Sequence, residues 1–197
     1  DIIIDIKRYA KYTDYDGDID DYEAMYYYFK GKKHFEQYAH TKLYQLDKEK
    51  LYELYELVTD SKLSDSNKKK YAFKGALVWD IQVRVEDTDY DGDMDDYEAM
   101  YNYFKQKKSY GQYAHTKLYQ LDIEKLYELY ELATDSKLSD SDKKLYAFKG
   151  ALVCEIQDCV KYYTDYDGDL DDYEAMYRYI KRKNENKEAV VDNIMEK

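Results

Sequence analysis

DTDYDGDMDDYEAMYNYF, residues 87–104, places seven carboxylates and one glycine in its first twelve positions and then runs directly into a helical pattern. The same hexapeptide, TDYDGD, stands at Thr13–Asp18, Thr88–Asp93 and Thr164–Asp169, and every copy continues to Glu-Ala-Met. Like charges this close repel, so each stretch costs stability unless something positive offsets it. Beyond the acids the spacing changes to that of a helix. Tyr22, Met25, Tyr26 and Phe29 fall at i, i+3, i+4 and i+7, as do Leu51, Leu54, Tyr55 and Val58. Each segment therefore presents one apolar stripe and is expected to be an amphipathic helix.

Working outward, the whole sequence repeats. QYAHTKLYQLD at Gln37–Asp47 returns at Gln112–Asp122, and YAFKGALV at Tyr71–Val78 returns at Tyr146–Val153, a period of about 75 residues with one extra residue before the third acidic stretch. Copies this similar imply one supersecondary unit in tandem. The period divides the chain into 1–86, a first repeat lacking the front half of its helix, 87–162, and a partial third repeat, 163–197; a slice of a longer array has this form. Within a unit the reading is a long helix, an acidic loop, a helix carrying tyrosines, a further helix near Phe35–Leu46, and the LYELYEL helix. Asp47 is the expected N-cap of KEKLYELYEL, and Ser64-Asp65-Ser66 that of a long helix running through KKKYAFKGALVWDIQVRVE. The fold class is all-α, in tandem helical repeats. The absence of proline, only 7 glycines and the dominance of Leu, Glu, Lys, Ala and Tyr favour helix over sheet.

The 197 residues are 44% hydrophobic, enough for a core, and carry a net charge of −12. That charge is local. The three loops hold six, seven and six carboxylates without a lysine or arginine, and the remainder of the chain has a basic excess. The acidity thus points to cations and away from nucleic acid. No apolar run is long enough to span a membrane. Cys154 and Cys159, five apart on an expected helix, cannot reach one another while it is intact and are read as buried thiols. Twenty-eight tyrosines against 1 Trp and 5 Phe exceed what two helix stripes bury, and the surplus suits interfaces.

With Gly92 at position 6 of a twelve-residue loop, oxygen side chains fall at positions 1 (Asp87), 3 (Asp89), 5 (Asp91), 9 (Asp95) and 12 (Glu98), and the apolar Met94 is at position 8. This resembles the EF-hand calcium loop over roughly 30 residues per copy, loop and flanking helices together. The resemblance implies that Asp87, Asp89, Asp91, Asp95 and Glu98, with the backbone carbonyl of Asp93, hold Ca²⁺, that Gly92 makes the sharp turn, and that the all-oxygen set suits Ca²⁺ and not Zn²⁺ or copper. It carries over to Asp14, Asp16, Asp18, Asp20 and Glu23 in the first copy, and to Asp165, Asp167, Asp169, Asp171 and Glu174 in the third. There position 1 is Tyr12 and Tyr163, poor calcium ligands. Up to three ions are expected, the tightest at 87–98. The sequence departs from the family at position 10, which is acidic, and position 13, which is Ala. Full loops also lie a whole repeat apart, instead of close together as in sensor lobes; the TDSKLSDSN turn matches a degenerate partner loop only through Leu63. A dockerin-like loop and helix is another relative with separated hands, which the 75-residue spacing argues against.

His34, His40 and His115 lie in no catalytic arrangement, and glycine-rich phosphate loops are absent, so no enzyme is expected. A structural, adhesive or assembly-forming array locked by Ca²⁺ is the leading expectation, self-associating or meeting a protein partner through tyrosine-rich faces. The alternative is a sensor exposing a groove around Met25, Met100 and Met176, or a passive buffer. Two weaker loops would fill only at the millimolar Ca²⁺ found outside cells, which points to an extracellular or cell-surface location.

Overall fold

The computed structural model describes the backbone of residues 2–195 and the side chains of residues 5–187. Among the described residues there are ten α-helices, four 3-10 helices and no strand, so the chain is all-α. It divides into two compact units, Asp1–Tyr101 and Asn102–Lys197. The first holds α1 (Ile2–Ala10), α2 (Tyr22–Phe35), 3-10 helices at Glu36–His40 and Leu43–Gln45, α3 (Lys48–Thr59), α4 (Asp65–Lys70) and α5 (Lys74–Glu86). The boundary falls inside α6 (Tyr97–Tyr110). The second unit continues through 3-10 helices at Gly111–His115 and Leu118–Gln120 to α7 (Ile123–Thr134), α8 (Asp140–Leu145), α9 (Lys149–Tyr163) and α10 (Tyr173–Met195).

Helix starts follow the sequence signals. Asp47 accepts the Lys50 amide at 2.9 Å and Ser64 accepts that of Asn67 at 3.2 Å. Ser139 and Asp142 exchange side-chain and backbone bonds in a capping box at the head of α8. α3 and α7 stop at Asp60 and Asp135, both left-handed at φ 49° and 54°. After each stop a glutamate closes the turn, Glu56 taking the Leu63 amide and Glu131 the Leu138 amide, both at 2.9 Å. Leu63 is thus a buried turn residue bonded to its own preceding helix.

Two expected helices are different in the structure. The long helix from Ser64 is broken at residues 71–73 into α4 and α5. The break lets Phe73 turn inward, where it is 1% exposed between the rings of Tyr28 and Tyr44, at centroid distances of 5.7 and 5.9 Å. Its exposed carbonyls find donors elsewhere: Lys48 Nζ reaches the Ala72 carbonyl at 3.2 Å. Gly75 then packs so tightly against Phe73 and the Phe35 carbonyl that a Cβ would collide with both. The segment expected as a helix near Phe35–Leu46 is two short 3-10 helices. Thr41 divides them, its hydroxyl donating to the Tyr38 carbonyl at 2.8 Å and accepting the Tyr44 amide at 3.2 Å.

In the first unit Leu51, Leu54, Leu77, Val78 and Ile81 are fully buried. In the second, Leu126, Leu129, Leu152, Val153, Ile156, Met176 and Ile180 belong to one core cluster. Met25, Met100 and Met176 are all buried core residues. Cys154 and Cys159 are both free thiols; Cys154 is only part-buried, contrary to expectation, whereas Cys159 is buried and burial pushes its thiol up to about 11.

The compact units part at residues 101 and 102, whereas the sequence period places a division at 86 and 87. Contacts made by the second loop explain the offset. Asp95 bonds to the amides of Lys42 and Leu43, and Tyr101 donates to Glu53 at 2.8 Å, so residues 87–101 hold on to the helices that precede them.

Candidate metal centre

Each acidic loop connects two helices: α1 to α2, α5 to α6, and α9 to α10. The first two loops start alike, whereas in the third the Thr164 hydroxyl donates four residues back, to the Val160 carbonyl. Thr88 donates from amide and hydroxyl to the Val85 carbonyl, at 2.9 and 2.7 Å, and Thr13 does the same to Ala10 at 3.1 and 2.7 Å. Those threonine hydroxyls accept the amides of Tyr90 and Tyr15, and Thr164 accepts that of Tyr166. All three loops end alike. Asp21, Asp96 and Asp172, the acidic residues at position 10, accept the amides of Ala24, Ala99 and Ala175 at 3.0, 3.1 and 3.0 Å as N-caps of the exiting helices. The position-10 departure from the family pattern is therefore a helix cap.

Position 4 has a role the spacing did not reveal. The phenols of Tyr15, Tyr90 and Tyr166 arch over the loop glycine and donate to the carbonyls of Asp18, Asp93 and Asp169 at 3.0, 3.2 and 3.3 Å. A Cβ on Gly17, Gly92 or Gly168 would fall inside that phenol, and none of the three takes a left-handed φ. The backbone bends at Gly92, as expected, without a left-handed φ, and a side chain there would also have to push the tyrosine ring aside. Burial and then the surrounding carboxylates push these phenols above their ordinary range, keeping them protonated donors. The carboxylates of Asp18, Asp93 and Asp169 turn back on the loop and accept the amides of Asp20, Asp95 and Asp171, at 2.8, 2.9 and 2.9 Å.

Position 9 differs most from expectation. Asp95 takes the Lys42 and Leu43 amides at 2.7 and 3.0 Å, and Asp171 takes those of Lys117 and Leu118 at 2.8 and 3.0 Å. Each is a distant N-cap for a 3-10 helix more than fifty residues earlier. Asp20, in the first loop, is instead met by the Lys7 ammonium.

Lysines offset the first loop's charge. Lys32 reaches Asp14 at 3.1 Å, Lys48 reaches Asp16 at 2.9 Å, and Lys69 sits 2.9 Å from Asp21 and 3.8 Å from Glu23. Asp14 also accepts the hydroxyls of Tyr28 and, at 3.0 Å, Tyr44. Partial burial works against its ionised form, but the bonds from Tyr28, Lys32 and Tyr44 win and hold the carboxyl down at about 2. In the third loop Lys183 reaches Asp165 at 2.9 Å. Asp87, Asp89, Asp91, Glu98, Asp167 and Glu174 are exposed, the two glutamates on the first turns of α6 and α10. Tyr12 and Tyr163 at position 1 are 83% and 77% exposed, turned to solvent. Among the described residues no three carboxylate, imidazole or thiol groups converge as a ready cage.

Tyrosine as a donor to carboxylates recurs outside the loops, in Tyr71 to Asp80, Tyr101 to Glu53 and Tyr177 to Glu128. No described helix is long and apolar enough to cross a membrane. No protein-family model, curated protein or solved structure matches the chain.

Proposed function

We propose that the chain is a calcium-binding helical scaffold in which Ca²⁺ neutralises the acidic loops and locks successive helices, leaving tyrosine-rich faces for assembly. The observation that carries this reading is the second loop, where Asp87, Asp89, Asp91 and Glu98 are exposed oxygens at positions 1, 3, 5 and 12 of a loop fixed between two helices. Position 9 of such loops often reaches its ion through water, so the capping role of Asp95 is compatible with a bound ion. In the first loop an ion must displace lysines from Asp14 and Asp16 and has Tyr12 at position 1, which weakens that site. Tyrosine-sensitised terbium luminescence tests the proposal, with Tyr90 as a donor inside the loop. Calcium-competed emission that falls sharply in Glu98→Gln supports it, and emission unchanged by that substitution contradicts it.

A second reading has its own support. The lysine, tyrosine and amide partners of the loops already satisfy many of the acids, which is what an ion-free acidic connector needs. In that case calcium leaves the unfolding midpoint unmoved.

A further inference from the structure

One short piece of chain, residues 42–48, is bonded to two of the acidic loops. It runs through the 3-10 helix Leu43–Gln45 to the cap and first residue of α3. Its front end holds the second loop: Asp95 takes the amides of Lys42 and Leu43 at 2.7 and 3.0 Å, and the Lys42 ammonium stands 3.8 Å from Asp93. Its back end holds the first loop, through the Tyr44 hydroxyl on Asp14 at 3.0 Å and the Lys48 ammonium on Asp16 at 2.9 Å. Between these ends Leu43 is fully buried and the Tyr44 amide is tied to the Thr41 hydroxyl at 3.2 Å, which stiffens the piece. Both loops and the piece belong to the first compact unit. The front attachment is built twice. One period on, Asp171 takes the amides of Lys117 and Leu118 at 2.8 and 3.0 Å, and Lys117 stands 3.9 Å from Asp169.

We propose that residues 42–48 couple the first and second loops, so that filling one loop with calcium favours filling the other. The inference deepens the proposed function and rests on its calcium reading. The acids held by the piece stand at positions 3 and 5 of the first loop and 7 and 9 of the second. An ion in the first loop draws Asp14 and Asp16 off Tyr44 and Lys48. An ion in the second draws on the stretch that grips Lys42 and Leu43. Each ion therefore loosens the same piece, and the second to bind finds part of that cost already met. Direct repulsion between two bound cations has the opposite sign, so the sign of the coupling distinguishes a shared element from a simple field.

The test uses the whole chain isotopically labelled at glycine, titrated with calcium and followed by amide NMR at Gly17 in the first loop and Gly92 in the second. In the parent both resonances are expected to shift, Gly92 at the lower concentration. Glu98→Gln, which disables the second loop, is expected to raise the Gly17 midpoint about fivefold. Tyr44→Phe combined with Lys48→Met releases the first loop from the piece while keeping the ring and the aliphatic stem. In that background Glu98→Gln is expected to leave Gly17 unmoved, whereas a field effect of the lost charge would persist. Should the combined change lower the helical circular dichroism, Lys48→Met alone is used, and the fivefold shift is expected to shrink. Gly92 unmoved by millimolar calcium overturns the calcium reading and the coupling with it. The coupling alone is overturned if Gly92 shifts and Gly17 does not, if Glu98→Gln leaves the Gly17 midpoint unchanged, or if the full shift survives loss of the Tyr44 and Lys48 bonds.

Discussion

Asp95→Ala separates the structural work of a loop acid from ion binding. Its carboxylate serves two amides, at 2.7 Å from Lys42 and 3.0 Å from Leu43. Lys42 is exposed, so its amide recovers water after the substitution. Leu43 is fully buried, and its amide is left without an acceptor. A buried orphan donor costs about 1–3 kcal/mol and a lost N-cap about 0.5–2 kcal/mol. These describe overlapping losses, so the expected destabilisation is about 2 kcal/mol. In urea, at a slope of roughly 2 kcal/mol per molar for a unit of this size, the midpoint falls by about 1 M. Circular dichroism in EDTA measures it, with ion binding removed. Asp171→Ala is expected to behave the same way in the second unit, because Leu118 is also fully buried. Asp20→Ala is the internal control: its exposed carboxylate meets the part-buried Lys7 in a surface ion pair and caps no buried amide, so the loss is smaller than for Asp95→Ala. Equal effects of all three substitutions, or Asp95→Ala matching the parent, would refute the capping argument.

Phe73→Ala removes a ring buried between Tyr28 and Tyr44 and is expected to cost about 3–5 kcal/mol, measured by chemical unfolding. Carboxyl NMR should find Asp14 titrating near 2, and Tyr28→Phe with Tyr44→Phe should return it towards 3.8. Because its folded value lies below the unfolded one, the stability Asp14 supplies is fully present above pH 4 and is lost as pH falls from there through about 2. In a spectrophotometric titration Tyr97, Tyr113 and Tyr173, pushed up to about 12 with burial leading for Tyr97 and Tyr173 and the bond to Cys154 for Tyr113, should remain un-ionised at pH 11. Glu98→Gln, on an exposed first turn, should leave stability in EDTA unchanged within about 0.5 kcal/mol while weakening calcium binding.

Local chemistry was legible in the sequence, and long-range demands were not. The apolar stripe of α3 and the caps at Asp47 and Ser64 depend on neighbours within a few positions and are found in the structure, whereas α2 forms but buries Met25, Tyr28 and Gly31 and leaves Tyr22 and Tyr26 of the expected stripe exposed. The break at residues 71–73 is signalled only weakly by local preference, in the mid-ranking Tyr71 and Phe73 and in Gly75, and the burial of Phe73 against Tyr28 and Tyr44 that accompanies it is a long-range feature. Likewise Asp95 matches a ligand position by spacing, and nothing near it in sequence indicates that its partners are the amides of residues 42 and 43. The tyrosines at position 4 were legible as residues but not as lids, since their reach across glycine appears only when the loop closes. Position 10 is the instructive exception, because an acid one residue before a helix is a cap by local rule, and the loop pattern obscured it.

Isothermal titration of the whole chain with calcium, against a magnesium control, tests the central claim most directly. The account predicts saturable calcium binding, tightest in the loop at 87–98, with that site lost in Asp87→Ala and the first loop strengthened in Tyr12→Asp. Absence of calcium heat at millimolar ion, with both variants indistinguishable from the parent, would contradict it.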